Sequence, residues 1–144
     1  MGELLLKKAL RLRERIAKLR ARLAGLDDAV QAVSADENLE AFLAFNLFLA
    51  IQDAVDLAAH VVSARSLTIP ASQREVFDAL AKAGLIDPAI ASAMGALASL
   101  RNRIAHTYGD LDLARLVREL PQGLGHLDAF LVALTPALLD QQGS

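Results

Sequence analysis

Two arginines, an asparagine, a histidine and the chain's only tyrosine fall within eight consecutive positions, Arg101-Asn102-Arg103-Ile104-Ala105-His106-Thr107-Tyr108. Guanidinium groups bind the non-bridging oxygens of a phosphate and stabilise charge that develops there. An imidazole, with an ordinary pKa near neutrality, takes or gives a proton at physiological pH. On a helix each residue turns by about 100°, so Arg101 and Tyr108 share one face, while Asn102 and His106 share another as an i,i+4 pair. No single face presents Arg101 and His106 together well. Two copies related by a two-fold axis would bring two arginines and two histidines into one cleft. There a neutral histidine could accept the proton of a ribose 2′-OH, and its protonated mate could donate to the leaving 5′ oxygen. The products would be a 2′,3′-cyclic phosphate and a 5′-OH, with no metal ion required. The spacing alone also fits a solvated helix end, where a lone histidine more often caps carbonyls than does catalysis.

Such side chains need a helical frame, and the composition favours one. The chain has 144 residues, 54% hydrophobic and 22% charged, with only 8 glycines and 4 prolines. This suits a single helical domain, residues 1–144, with its own core. Cysteine is absent, which excludes disulfides and zinc–thiolate sites. Residues 1–25 carry a net +6 and the remainder −8. The basic stretch could steer toward phosphates, those of RNA included, or toward an acidic partner, or it is a solvated helix face. The Leu4-Leu5-Leu6 run is too short for a signal peptide and precedes its basic residues. Ala41–Val62 is apolar but holds Asn46, Gln52, Asp53, Asp56 and His60, so it reads as a buried bundle helix outside any membrane. A cytoplasmic location is expected.

Apolar residues at Leu5, Ala9, Leu12, Ile16, Leu19, Leu23, Leu26, Val30 and Val33 form a sustained seam. It predicts a first helix from about residue 3 to the low thirties, loosened at Gly25. Ser34 to Glu37 has the capping-box spacing and opens a second helix running to about Ala64. Ile69-Pro70 ends the connection. Ser72 to Glu75 caps a short third helix through Ala83, closed by Gly84. Asp87-Pro88 starts a fourth, ending near His106 or Tyr108, with Gly109 as terminator. Asp110 or Asp112 caps a fifth helix toward Leu139, which Pro121, Gly123 and Gly125 should kink or break. With no strand signal, the expected fold is an all-α up-and-down bundle of four to five helices, dimerising through the bundle.

Asp53, Asp56 and His60 lie on one side of the second helix, but too few donors converge for a metal site. Asp56 is instead a candidate to orient His106 or hold an arginine. His126 reads as surface or structural. Phe42, Phe45, Phe48, Phe77 and Phe130 sit in apolar patterns typical of core packing. No phosphate-binding glycine loop is present, and neither a cofactor nor a metal is expected.

The stretch Arg101 to Tyr108 resembles the R-x4-H-x-Y motif of HepT-like proteins, a branch of the HEPN superfamily, with Asn102 in the asparagine position usual after the arginine. Asn46 to Val61 resembles the second helix of that family, with Gln52, Asp56 and His60 falling in place, and the segment from Pro70 through Met94 and Leu100 resembles its approach to the motif. The resemblance covers roughly residues 35–135. It implies a helical, dimeric ribonuclease toxin that cleaves transfer or messenger RNA. It also implies a partner, a minimal nucleotidyltransferase antitoxin of the MntA type, that transfers AMP to the motif tyrosine. Carried over by position, Arg101 and His106 become catalytic, Asn102 supporting and Tyr108 the modified residue. The alternative is a non-catalytic helical module that binds a nucleotide or serves as the adaptor of a nucleotidyltransferase.

Overall fold

The computed structural model describes residues 2–67 and 70–143, which leaves Ile69 of the expected Ile69-Pro70 break outside the described residues. Six α-helices follow in order: α1 Gly2–Ala24, α2 Ala29–Ala35, α3 Glu37–Ala64, α4 Gln73–Lys82, α5 Pro88–Thr107 and α6 Leu113–Gly143. A 3-10 turn, Tyr108–Asp110, joins α5 to α6. No strand occurs among the described residues, so the all-α bundle expected from the sequence is the fold observed, with one helix more.

The extra helix arises because the first seam is interrupted. α1 ends at Ala24, just before Gly25, and the carboxylate of Asp28 accepts from the Gln31 amide to cap the separate α2. The seam survives the break: Leu5, Leu12, Ile16, Leu19 and Val33 are all buried in one core. The expected Ser34 capping box does not form. Asp36 caps α3 instead, its Oδ1 accepting from the amides of Asn38 and Leu39, while the Ser34 hydroxyl donates back to the Val30 carbonyl. A carboxylate placed next to the free amides of a helix start is favoured by the helix dipole over a neutral hydroxyl two residues earlier.

Ser72 caps α4 as the sequence predicts, accepting from the Glu75 amide while Glu75 accepts from the Ala71 amide. Gly84 ends it with φ +76°, its amide donating to Ala81 and that of Leu85 to Leu80, a Schellman closure. Asp112, not Asp110, caps α6, accepting from the Arg115 amide. The expected break near Pro121 does not occur; α6 runs through it. Pro121 lies on the exposed side, where the carbonyl it leaves unbonded can be hydrated, and Gly123 is buried against Leu97 of α5.

α3 is the hub and packs against every other helix. That explains why it is apolar nearly all round. α3 and the Leu113–Asp140 part of α6 are long and apolar enough to cross a membrane, yet most of the α3 window is buried inside the bundle. Phe77 of α4 and Phe130 of α6 meet edge to face in the core, with ring centroids 5.3 Å apart.

Candidate functional site

The motif occupies the last turns of α5 and the 3-10 turn beyond it, opposite the N-terminal half of α3. Arg101 is half-buried there. Its guanidinium lies 5.1 Å from the centroid of the Phe48 ring and donates from Nη1 to Gln73 Oε1 at 3.0 Å and to Asn102 Oδ1 at 2.6 Å. The close approach of α4 to α5 brings Gln73 into reach; Gly95 makes room for the stem of the neighbouring Arg74, whose Cγ stands 2.9 Å from where a β-carbon would be. Arg101 thus has three supports, all neutral. Its buried Nε–H has no acceptor among the described residues.

Several cations of α1 are neutralised, the partly buried Lys8 and Arg15 and the exposed Arg11 and Arg20. Lys8 pairs with Asp56 at 3.0 Å, and Arg15 and Arg11 pair with the buried Asp53 at 3.2 and 3.6 Å. Arg20 pairs with Asp128. Much of the basic character of residues 1–25 is therefore used to dock α1 on α3 and α6. These pairs also account for the acidic residues of α3. Asp53, Asp56 and His60 do not converge, and among the described residues no group of three or more metal-ligating side chains forms. Asp56 accepts from Lys8 and from Gln52 Nε2 at 2.8 Å, which directs it toward α1 and not toward His106.

His106 is exposed, and among the described residues no hydrogen bond or ion pair engages its ring. Tyr108 is 36% exposed, and its hydroxyl donates to Glu40 Oε1 of α3 at 2.7 Å. Partial burial, then that hydrogen bond and the charges of Glu40 and Glu37, push the phenol up to about 12. Between Arg101 and Tyr108 runs an open apolar groove of 420 Å³, lined by Ala41, Ala44, Phe45, Phe48, Ile104, Ala105 and Tyr108. Phe45 is not a core residue as its pattern suggests; it is 59% exposed at this groove.

Tyr108 and Arg101 both face α3, as their seven-residue separation predicts, while His106 does not line the groove. Sequence reasoning missed Glu40, Gln73 and the platform role of Phe48. Glu40 and Phe48 sit eight residues apart on one face of α3, a spacing visible in the sequence but without meaning until α5 lies against it.

A helical bundle with an arginine–histidine–tyrosine motif at the end of its fifth helix defines a HEPN-type protein. More narrowly, the chain belongs to the HepT-like family: residues 12–134 match the family described as Ribonuclease HepT-like. The mRNA nuclease HepT of Shewanella oneidensis is 28% identical over 96 residues, covering 67% of this chain and 72% of that protein. The fold is similar to that of the tri-AMPylated Shewanella oneidensis HEPN toxin in complex with MNT antitoxin, with TM-score 0.83, 24% identity and coverage of 94% of this chain and 99% of the other. It is also similar to a cytosolic Bacillus subtilis protein of unknown function, YutE, with TM-score 0.72, 18% identity and coverage of 92% of both chains.

Proposed function

We propose that this protein is a cytoplasmic, metal-independent endoribonuclease toxin whose homodimer cleaves RNA with Arg101 and His106. In this reading an MntA-like nucleotidyltransferase antitoxin silences it by transferring AMP to Tyr108. The observation that carries the reading is the uncompensated charge of Arg101. It is half-buried, fixed by Phe48, Gln73 and Asn102, and pairs with no carboxylate among the described residues. Such a cation, held by neutral groups and not by a carboxylate among the described residues, is prepared for an anion from outside the chain.

An RNA phosphodiester supplies that anion. Arg101 binds its non-bridging oxygens and stabilises the charge gained as the ribose 2′-OH attacks phosphorus. His106, free of internal partners, accepts the 2′-OH proton, and its protonated counterpart in the second copy donates to the departing 5′ oxygen. Arginine and histidine together provide the charge and the proton traffic, so no metal ion takes part. The second copy covers the apolar groove at Phe45, and Asn102 holds Arg101 in place. Adenylate on Tyr108 introduces bulk and a negative phosphodiester on the same side of α5 as Arg101, which excludes substrate. The naming of the Shewanella oneidensis relatives as an mRNA nuclease and as an AMPylated toxin supports both halves of this reading.

The test is RNA cleavage by the purified chain in EDTA, beside Arg101→Ala and His106→Ala. Cleavage by the unmodified protein to 2′,3′-cyclic phosphate ends, lost in both variants, is the expected result. Equal absence of cleavage in all three overturns the nuclease and leaves the adaptor module.

A further inference from the structure

We propose that Glu40 is the proton acceptor for the modification of Tyr108, taking the phenolic proton as the tyrosine oxygen is adenylylated. The inference rests on the reading above that Tyr108 receives AMP, and it assigns a residue of this chain, not of the transferring enzyme, to the chemistry.

The geometry points to Glu40 in three ways. The phenol already donates to Glu40 Oε1 at 2.7 Å, so the proton that must leave already lies on the line to the carboxylate oxygen. Among the described residues neither Glu40 nor Glu37 has a cationic partner, so the carboxylate is not tied up in an ion pair as Asp53 and Asp56 are. Tyr108 lies in the 3-10 turn beyond α5 and remains partly exposed, so its oxygen can be approached by another protein while the carboxylate stays behind it.

The chemistry needs such a group. A phenol pushed up to about 12 is ionised in only about one molecule in 10⁵ at neutral pH, so a preformed phenolate is scarce. The proton must leave as the new bond forms. The phenolic oxygen forms a bond to the α-phosphorus of a nucleoside triphosphate held by the nucleotidyltransferase. The bond from that phosphorus to the oxygen bridging toward the β-phosphate breaks, and pyrophosphate leaves with the electron pair. The proton passes to Glu40 Oε1 and from there to water. Protonating Glu40 also removes a negative charge from beside the phosphodiester at the moment it is made.

The experiment measures initial rates of label incorporation from α-labelled ATP into the full chain by its co-purified nucleotidyltransferase. The proteins compared are the unmodified chain, Glu40→Gln, Glu40→Asp and Tyr108→Phe, with thermal melting to confirm that each is folded. Glutamine keeps a hydrogen-bond acceptor but cannot take the proton. Near neutral pH, Glu40→Gln is expected to slow incorporation by roughly 100-fold with KM for ATP unchanged, and Glu40→Asp to recover part of the loss. At about pH 9.5 the Glu40→Gln deficit should narrow, because solvent base then removes the proton. Equal rates for Glu40→Gln and the unmodified chain overturn the role of Glu40 and leave Tyr108 as acceptor. A deficit that is the same at both pH values, or that lies in KM, overturns proton transfer in favour of positioning alone. Label that persists in Tyr108→Phe, or never enters the unmodified chain, overturns the Tyr108 reading and this inference with it.

Discussion

Arg101 and Tyr108 are seven residues apart and lean on the same helix, yet their surroundings differ in sign. Arg101 rests on a ring and two amides, Tyr108 on a carboxylate. A lysine at 101 would keep the charge but could not stack on Phe48 and bridge two amide oxygens with one planar group. Arg101→Lys is therefore expected to lower RNA cleavage by roughly 100-fold, read as initial rate, with little change in melting temperature. Tyr108 offers a direct readout, because the chain has one tyrosine and no tryptophan. Its ultraviolet titration should centre at about 12, and Glu40→Gln should bring the midpoint down toward 10 while the part due to burial remains. The sign for stability follows. Between 10 and about 12 the folded chain retains a proton that the unfolded chain releases, so the contribution of this contact is intact below pH 10 and is lost as pH rises through about 12. A wild-type midpoint at 10 would contradict the Glu40 contact.

At the level of helices, caps explain where the boundaries fall. The Ser34-to-Glu37 pattern and Asp36 compete for the start of α3, and the carboxylate prevails. Asp36→Ala should cost about 1 kcal/mol in urea unfolding, whereas Ser34→Ala, whose hydroxyl only returns to the Val30 carbonyl, should change stability by less than about 0.5 kcal/mol. The reverse order would restore the Ser34 cap. The boundary of α5 matters more for chemistry. Its regular turns end at Thr107, so Tyr108 enters a 3-10 turn, a tighter winding that carries the ring to the edge of the groove near Glu40.

In the whole molecule, the pairing of α1 cations with Asp53, Asp56 and Asp128 leaves less basic surface than residues 1–25 promise. The exposed Phe45 beside the motif is the complementary feature, an apolar ring that the described residues of its own chain leave mostly uncovered. Phe45→Asp would place a charge in the groove that the second copy is proposed to fill. It should convert a dimer to a monomer in sedimentation analysis and abolish cleavage, with the monomer still helical by circular dichroism. Monomeric wild-type protein that cleaves RNA would remove the shared cleft.

The helical class, the seam of α1, the Ser72 and Gly84 ends of α4 and the Pro88 start of α5 were all readable from residue order, because periodicity and capping act within a few residues. Arg101, Asn102, His106 and Tyr108 are also close in sequence, but their spacing alone also fits a solvated helix end, and it is the resemblance to HepT-like proteins that singles them out. The partners of those residues were not readable. Glu40, Phe48 and Gln73 stand 68, 53 and 28 positions away from the groups they touch and carry no local signature of that contact. Which α1 cations are neutralised, and which phenylalanine is left bare, likewise follow from how the helices are placed around α3. Side-chain periodicity orients each helix about its own axis, but the packing of one helix on another selects which charges meet and which, like that of the half-buried Arg101, find no carboxylate among the described residues.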